Sequence, residues 1–194
     1  MRLDLSMTDK EWDDLLYSVS MKSLSSVHWS PLKIAKQAAE WLAPVAGTKV
    51  LDVGSGVGKF CIVGASYTKG HFTGVELRSS LFKQAKKAAK KAGVANVEFI
   101  LADMNTIDFR LFDSFYFFNP FYENVVPNLA IDAEIELSQL QYENYTNHVS
   151  AELDKLKPGT RVVTFCSSDS KIPPSYELVY TSPNTGKLRF WLKH

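Results

Sequence analysis

Three glycines alternate in the stretch Asp52-Val53-Gly54-Ser55-Gly56-Val57-Gly58, directly after the apolar pair Val50 and Leu51. Such alternation lets a backbone take positive φ and approach a ligand with no Cβ in the way. The apolar run before the glycines reads as a short buried strand. A helix starting near Lys59 would aim its free N–H groups and positive dipole end at the same spot. Strand, glycine turn and helix N-terminus together make a nucleotide-type binding site. Further along, Glu76, Asp103 and Asn119 each follow an apolar stretch. Ligands of an open α/β sheet sit outside the carboxyl ends of its strands, so these residues should converge on one cleft. Glu76 is placed to accept hydrogen bonds from both ribose hydroxyls of an adenosine group, and Asp103 with Met104 to meet an adenine amino group and ring face. Asp52 would be costly if buried unpaired; a ligand ammonium or the loop N–H groups would satisfy it. Taken singly, an acid after a strand is most often a helix cap or turn residue. The joint pattern is what points to a cleft.

The bulk properties set the frame for that site. The chain has 194 residues, which fits one domain able to bury about 70% of its unfolded surface. Its composition, 45% hydrophobic and 22% charged, is that of an ordinary globule. A net charge of +1 argues neither for nor against a nucleic-acid partner, since only a local patch would serve. Cys61 and Cys166 are too few for a disulfide framework or a multi-cysteine metal site and read as buried, reduced thiols. The four histidines are scattered without metal-ligand spacing, so no metal is expected. Early acids (Asp4, Asp9, Glu11) without an apolar run give no sign of a signal peptide. No stretch has membrane-spanning length, and a cytoplasmic location is expected.

The elements follow in order. Thr8 and Glu11 open a short helix over 9–19, and the serine-rich 18–26 reads as loop. Ser30-Pro31 has the chemistry of an N-cap followed by the first helical residue, with Pro44 and Gly47 closing that helix. Strands are expected at 49–53, 71–77, 97–101, 114–118 and 160–166, separated by helices at 59–67, 79–92 and within 131–156. Leu137, Leu140, Val149, Leu153 and Leu156 mark the apolar side of the last of these. Strands at 176–181 and 187–192 flank Ser182-Pro183-Asn184-Thr185-Gly186, which has hairpin chemistry. The alternation demands right-handed crossovers. The fold class is therefore α/β: a doubly wound, mostly parallel seven-stranded sheet with a C-terminal antiparallel hairpin. Lys83, Lys86, Lys87, Lys90 and Lys91 share one side of the helix over 79–92. That stripe reads first as the solvated face of an outer helix, and second as a nucleic-acid contact.

The segment from Val50 to Gly58, then Glu76, Asp103 and Asn119-Pro120-Phe121-Tyr122, resembles the class I S-adenosylmethionine-dependent methyltransferases over about residues 30–194. Residues 1–29 would then be an N-terminal helical extension, with His28 and Trp29 either a lid over the cofactor or a packed aromatic linker. The resemblance implies S-adenosyl-L-methionine as cofactor. It places the methionyl end on Asp52 and the loop Gly54, Ser55, Gly56 and Gly58. The ribose falls to Glu76 with Leu77 beside it, and the adenine to Asp103 and Met104. Asn119, at the end of the fourth strand, would touch both cofactor and acceptor. The tetrapeptide is similar to the [Asn/Asp]-Pro-Pro-[Tyr/Phe] motif of amino-methylating enzymes, which implies catalytic roles for Asn119, Pro120 and Tyr122. Phe121 departs from that motif. A likeness to the non-SET histone-lysine methyltransferases is also present, so a nitrogen acceptor on a protein or a nucleic acid is implied and the choice stays open. Two rivals stand. A nicotinamide-dependent oxidoreductase would want the Gly-x-Gly-x-x-Gly fingerprint, which the loop lacks. A non-catalytic cofactor-binding module on the same fold would have no use for Asn119.

Overall fold

The computed structural model describes residues 6–22, 28–126, 131, 135 and 137–194. Seven strands form one sheet: β1 (Lys49–Val53), β2 (His71–Glu76), β3 (Val97–Leu101), β4 (Ser114–Phe118), β5 (Arg161–Phe165), β6 (Tyr176–Thr181) and β7 (Leu188–Lys193). Their spatial order is β3-β2-β1-β4-β5-β7-β6. The first five are mutually parallel, and β7 runs antiparallel between β5 and β6. The order reverses direction between β1 and β4, so the loops after those two strands open a crevice at the carboxyl edge.

Helices cover both faces: α1 (Asp9–Leu16), α2 (Val19–Lys22), α3 (Leu32–Leu42), α4 (Lys59–Tyr67), α5 (Ser79–Ala92) and α6 (Gln139–Asp154). One apolar layer joins Trp12, Leu42, Val50, Phe60, Ile62, Phe72 and Tyr116. The other joins Leu51, Phe109, Phe115, Phe117, Leu153 and Val162. Alternate residues of β1 and β4 thus feed opposite layers, as buried strands require. Helix α5 buries Leu81, Ala85, Ala88, Ala89 and Ala92 and leaves its five lysines exposed. Residue 64 must be glycine for packing alone, because a Cβ there would lie 2.3 Å from the Phe72 ring.

Several local expectations change. Ser30 does not cap α3. Its hydroxyl is buried against the Tyr116 hydroxyl at 2.7 Å, Pro31 takes the cap position, and the Leu32 N–H donates to Asp9 Oδ1 at 2.9 Å. The start of α3 is therefore capped by a carboxylate from another helix. Within the serine-rich 18–26 stretch, Val19–Lys22 forms a helical turn, and residues 23–27 lie outside the described residues. Leu140 is 66% exposed, because α6 turns Val149 and Leu153 inward instead. Cys166 is only half-buried; it sits just past β5 with φ 53°, where the chain leaves the sheet.

The N-terminal helix is tied to the glycine-loop helix by charge. Lys59, 4% exposed, reaches Asp9 Oδ1 at 2.7 Å and Asp13 Oδ1 at 2.8 Å, with the Trp29 ring 5.9 Å from its Nζ. Burial pushes the Asp13 carboxyl upward, and the Lys59 ammonium opposes that push. Removing one partner of a buried pair leaves the other charge uncompensated. Lys59→Met should therefore lose about 3 kcal/mol of stability in urea denaturation. Unchanged stability would contradict a structural role for the pair.

Candidate functional site

One cleft opens where the loops after β1, β2, β3 and β4 meet. Gly54, Gly56, Glu76, Leu77, Arg78, Ala102, Met104, Asn119, Pro120 and Phe121 line it, and His28 and Trp29 close one side. The two strand ends at the switch point come close: a Cβ on Gly54 would sit 3.5 Å from that of Pro120. Gly54 and Gly56 both have positive φ (73° and 56°), so the loop can lie flat beneath a ligand.

Glu76 organises the floor. Its Oε2 accepts the Gly56 N–H at 2.9 Å and its Oε1 accepts the Arg78 N–H at 2.8 Å. Burial pushes this carboxyl upward while those two N–H groups pull the other way. An ionised carboxylate has about four acceptor positions, so capacity remains on each oxygen for a vicinal diol. Arg78 is buried and grips Glu123 through both carboxylate oxygens, at 2.7 and 2.9 Å. The Glu76 side of the cleft is thereby tied to the turn Tyr122–Asn124 beyond β4.

Four of the loop amides bond within the protein. Gly54 and Ser55 both donate to the Val75 carbonyl, Gly56 to Glu76, and Gly58 to the Ser55 carbonyl. A pyrophosphate would need several of those donors. The site instead offers the Glu76 carboxylate, with Glu123 already paired to Arg78, a flat glycine surface and the apolar walls Leu77, Ala102 and Met104.

The remaining expected residues are distributed as follows. Asp103 lies beside the cleft, its carboxylate taken by the Asn105 N–H at 2.8 Å and the Tyr145 hydroxyl at 3.0 Å, while its neighbours Ala102 and Met104 supply the wall. Ser55 is buried beneath the loop against Gly74, where a Cβ on that glycine would lie 2.6 Å from its hydroxyl. Gly58, with φ 78°, starts α4 under Phe99; a Cβ there would come within 2.4 Å of the ring. Asn119 stands at the cleft with φ 40°, its N–H held by the Ser167 hydroxyl at 2.8 Å. Tyr122 begins the turn after Phe121, and its side chain lies outside what the structure describes.

Asp52 sits behind the loop at 3% exposure, its Oδ2 accepting from the Cys61 thiol at 3.4 Å. Burial pushes its carboxyl to about 7, with the thiol lowering it slightly and Glu76 raising it further. Burial likewise pushes the Cys61 thiol up, as the neighbouring carboxyl also does.

The sequence reading missed Arg78, Glu123 and Tyr145, which line the cleft, and Lys171, which lies against the Tyr142 ring and the Pro120 carbonyl. Tyr145 stacks on Phe121 (4.6 Å between centroids, 14°) while bonding Asp103, so it joins the loop after β3 to the Asn119 turn. Burial and Asp103 push its hydroxyl up to about 12. The spacing of Tyr142 and Tyr145, three apart on one helix, was the available signal.

Because the folded value of Asp52 lies above the 3.8 of an unstructured aspartate, the fold favours its neutral acid. That contribution is complete below about pH 4 and is lost as pH rises through about 7. Asp52→Asn keeps the shape without the ionisation. Its thermal stability relative to wild type should improve by at least about 1 kcal/mol between pH 5 and pH 8. A pH-independent difference would contradict the buried carboxyl.

Comparison with known proteins fits this cleft. A family model described as a methyltransferase domain matches residues 44–163. A 73-residue stretch is 36% identical to the 23S rRNA (uracil(1939)-C(5))-methyltransferase RlmD of Hahella chejuensis, covering 38% of this chain and 16% of that protein. The RlmD of Marinomonas posidonica is 38% identical over 72 residues, again 16% of its length. The chain thus spans about a sixth of these curated relatives. Among solved structures, an RNA methyltransferase from Salinibacter ruber in complex with S-adenosyl-L-homocysteine superposes with a TM-score of 0.59 at 23% identity, covering 84% of this chain and 92% of that one. TrmN from Thermus thermophilus gives 0.59 at 18% identity, covering 89% of this chain and 51% of its own. These structural likenesses show the fold.

Proposed function

The chain belongs to the methyltransferase-domain family, with S-adenosylmethionine as its cofactor, and on that premise we propose that it methylates a base nitrogen of RNA. The observation that carries this reading is the Glu76 carboxylate, fixed by two N–H groups and facing a cleft that ends at Asn119. Glu76 would hold the ribose hydroxyls, Leu77, Ala102 and Met104 the adenine, and the Gly54–Gly56 backbone the methionyl chain. Asp103 acts through Tyr145, and Asp52, Ser55 and Gly58 shape the loop from behind. His28 and Trp29, at the end of an N-terminal extension over residues 1–29, close over the cofactor, and residues 30–194 form the catalytic domain.

The bound cofactor supplies a methyl group on a sulfonium that is already a good leaving group. The chain's own task is therefore alignment: Asn119 orients the acceptor lone pair in line with the methyl carbon, and Phe121 shapes the entry. RNA is favoured over protein by the activities of the relatives and by the five exposed lysines of α5, a helix that begins at the cleft-lining Arg78. Such a stripe would follow a phosphate backbone. Among the described residues no helix is long and apolar enough to cross a membrane.

With cofactor tritiated on the methyl, label should pass to a random-sequence RNA pool and not to a mixed protein extract. Asn119→Ala should cut the rate at least about tenfold while S-adenosylhomocysteine affinity stays within about twofold. Glu76→Ala should weaken that affinity by about tenfold or more, roughly 1.4 kcal/mol. Label entering protein alone would overturn the RNA reading, and full affinity in Glu76→Ala would overturn the ribose assignment.

A further inference from the structure

Helix α5 carries Lys83, Lys86, Lys87, Lys90 and Lys91, all exposed, and no carboxylate. At about 100° per residue the five share an arc of about 140°, opposite the buried Leu81, Ala85, Ala88 and Ala92, and they span about 12 Å of the axis. Elsewhere on the surface Lys10, Lys22, Lys36, Arg110 and Lys155 each meet a carboxylate. Among the described residues none of the five lysines of α5 does so; Lys86 instead stands 5.4 Å from the Phe82 ring centroid. The net charge of the chain is +1, so without these five lysines it would be −4. Positive charge is thus gathered on one face. Helix α1 packs against α5 and exposes Glu11 and Asp14, which bounds that face. The face starts beside the cleft. Arg78, just before α5, and Leu81, in its first turn, both line the cleft, and Lys83 follows two residues later. From there the helix runs back from the carboxyl edge of the sheet, as it must to return the chain to the parallel strand β3. Inside the cleft Arg78 is already paired with Glu123. A polyanion with one unit in the cleft would therefore draw its charge contacts from outside it.

We propose that α5 is a one-sided track for the backbone of single-stranded RNA: a strand with one nucleotide in the cleft passes over Arg78 and lays its next phosphates along Lys83 to Lys91. The proposal deepens the RNA reading above and rests on it. A nucleic-acid strand advances about 3.4 Å per phosphate, so the stripe matches about three or four successive phosphates. Lysine ammonium groups are point charges on flexible stems, without the planar fork that reads a base edge. The track therefore supplies affinity and holds the strand in place, and it reads no sequence. A helix face cannot enter the deep, narrow groove of duplex RNA, which leaves a single backbone as the occupant. A mononucleotide cannot reach from the cleft to the far end of the stripe and is left without this attraction.

Binding of a fluorescent single-stranded RNA about ten nucleotides long is measured by anisotropy on wild type and two quadruple variants. One carries Lys83→Gln, Lys87→Gln, Lys90→Gln and Lys91→Gln. The other carries Lys33→Gln, Lys49→Gln, Lys69→Gln and Lys187→Gln, four exposed lysines off α5 with the same loss of charge. Glutamine keeps the helix propensity of lysine, and S-adenosylhomocysteine affinity within about twofold of wild type checks the fold and the cofactor site. The α5 variant should lose at least about tenfold in RNA affinity at about 100 mM salt, and its slope of log affinity against log salt should be shallower by about 2 to 3. The other variant should lose no more than about twofold. On a dinucleotide the difference between wild type and the α5 variant should vanish. Equal losses in the two variants, or an unchanged salt slope, would overturn the track and leave RNA methylation standing. Tighter binding of wild type to phosphatidylserine vesicles than to the RNA would assign the stripe to a membrane surface and overturn it. Wild type that binds S-adenosylhomocysteine yet transfers no methyl group to RNA would overturn the reading on which the track rests.

Discussion

The Glu76 carboxylate is the constraint on which the cleft depends. It ends β2 almost fully buried, which would be costly without partners, and it meets that cost with the N–H groups of Gly56 and Arg78. One contact locks the glycine loop after β1 to the end of β2. The other fixes the entry to α5 and aims Arg78 at Glu123, beyond β4. Three separate strand ends are thereby held in one geometry before any ligand arrives. Pre-ordering of this kind is what an alignment-driven reaction requires.

A second line of contacts runs along the opposite wall. Asp103 accepts from Tyr145, Tyr145 stacks on Phe121, and Lys171 reaches the Pro120 carbonyl beside the Phe121 and Tyr142 rings. Helix α6 is therefore less a cover for the sheet than a brace between the loop after β3 and the Asn119 turn. Behind the loop, Lys59 joins α4 to α1 through Asp9 and Asp13, and Asp9 also caps α3. The same α3 is preceded by His28 and Trp29, so the aromatic side of the cleft is anchored to the helix that starts the glycine loop's far end.

The sheet and its crossovers were legible because they rest on local signals. Alternating apolar runs, Gly93 closing α5 and the Lys-Pro-Gly turn before β5 each name their structure within a few residues. The residues facing the cleft, Gly54, Gly56, Glu76, Leu77, Met104, Asn119 and Pro120, were legible from their place after strands. Less legible were the directions of side chains and amides. Asp103 sits in the expected position, yet its carboxylate is drawn to Tyr145, 42 residues away. Ser30 looks like a cap by sequence, but Tyr116, 86 residues on, takes its hydroxyl. The loop amides were offered as partners for Asp52 and bond instead to Val75, Glu76 and Ser55, leaving Asp52 to the Cys61 thiol. Lys171 gave no signal at all, because a lone lysine in a polar loop is ordinarily solvated; only the folded chain shows it buried against Pro120. Long-range pairings of this kind are not written in spacing.

The central claim is that Glu76 and the Gly54–Gly56 backbone form one cofactor-binding surface whose far end is Asn119. A crystal structure of the protein with S-adenosylhomocysteine tests it most directly. The account predicts the ribose diol on the Glu76 carboxylate with the Gly56 and Arg78 N–H bonds retained. It further predicts adenine between Leu77 and Met104, and the sulfur directed toward Asn119. A ligand seated elsewhere, or a Glu76 that abandons Gly56 to leave the cleft, would contradict it.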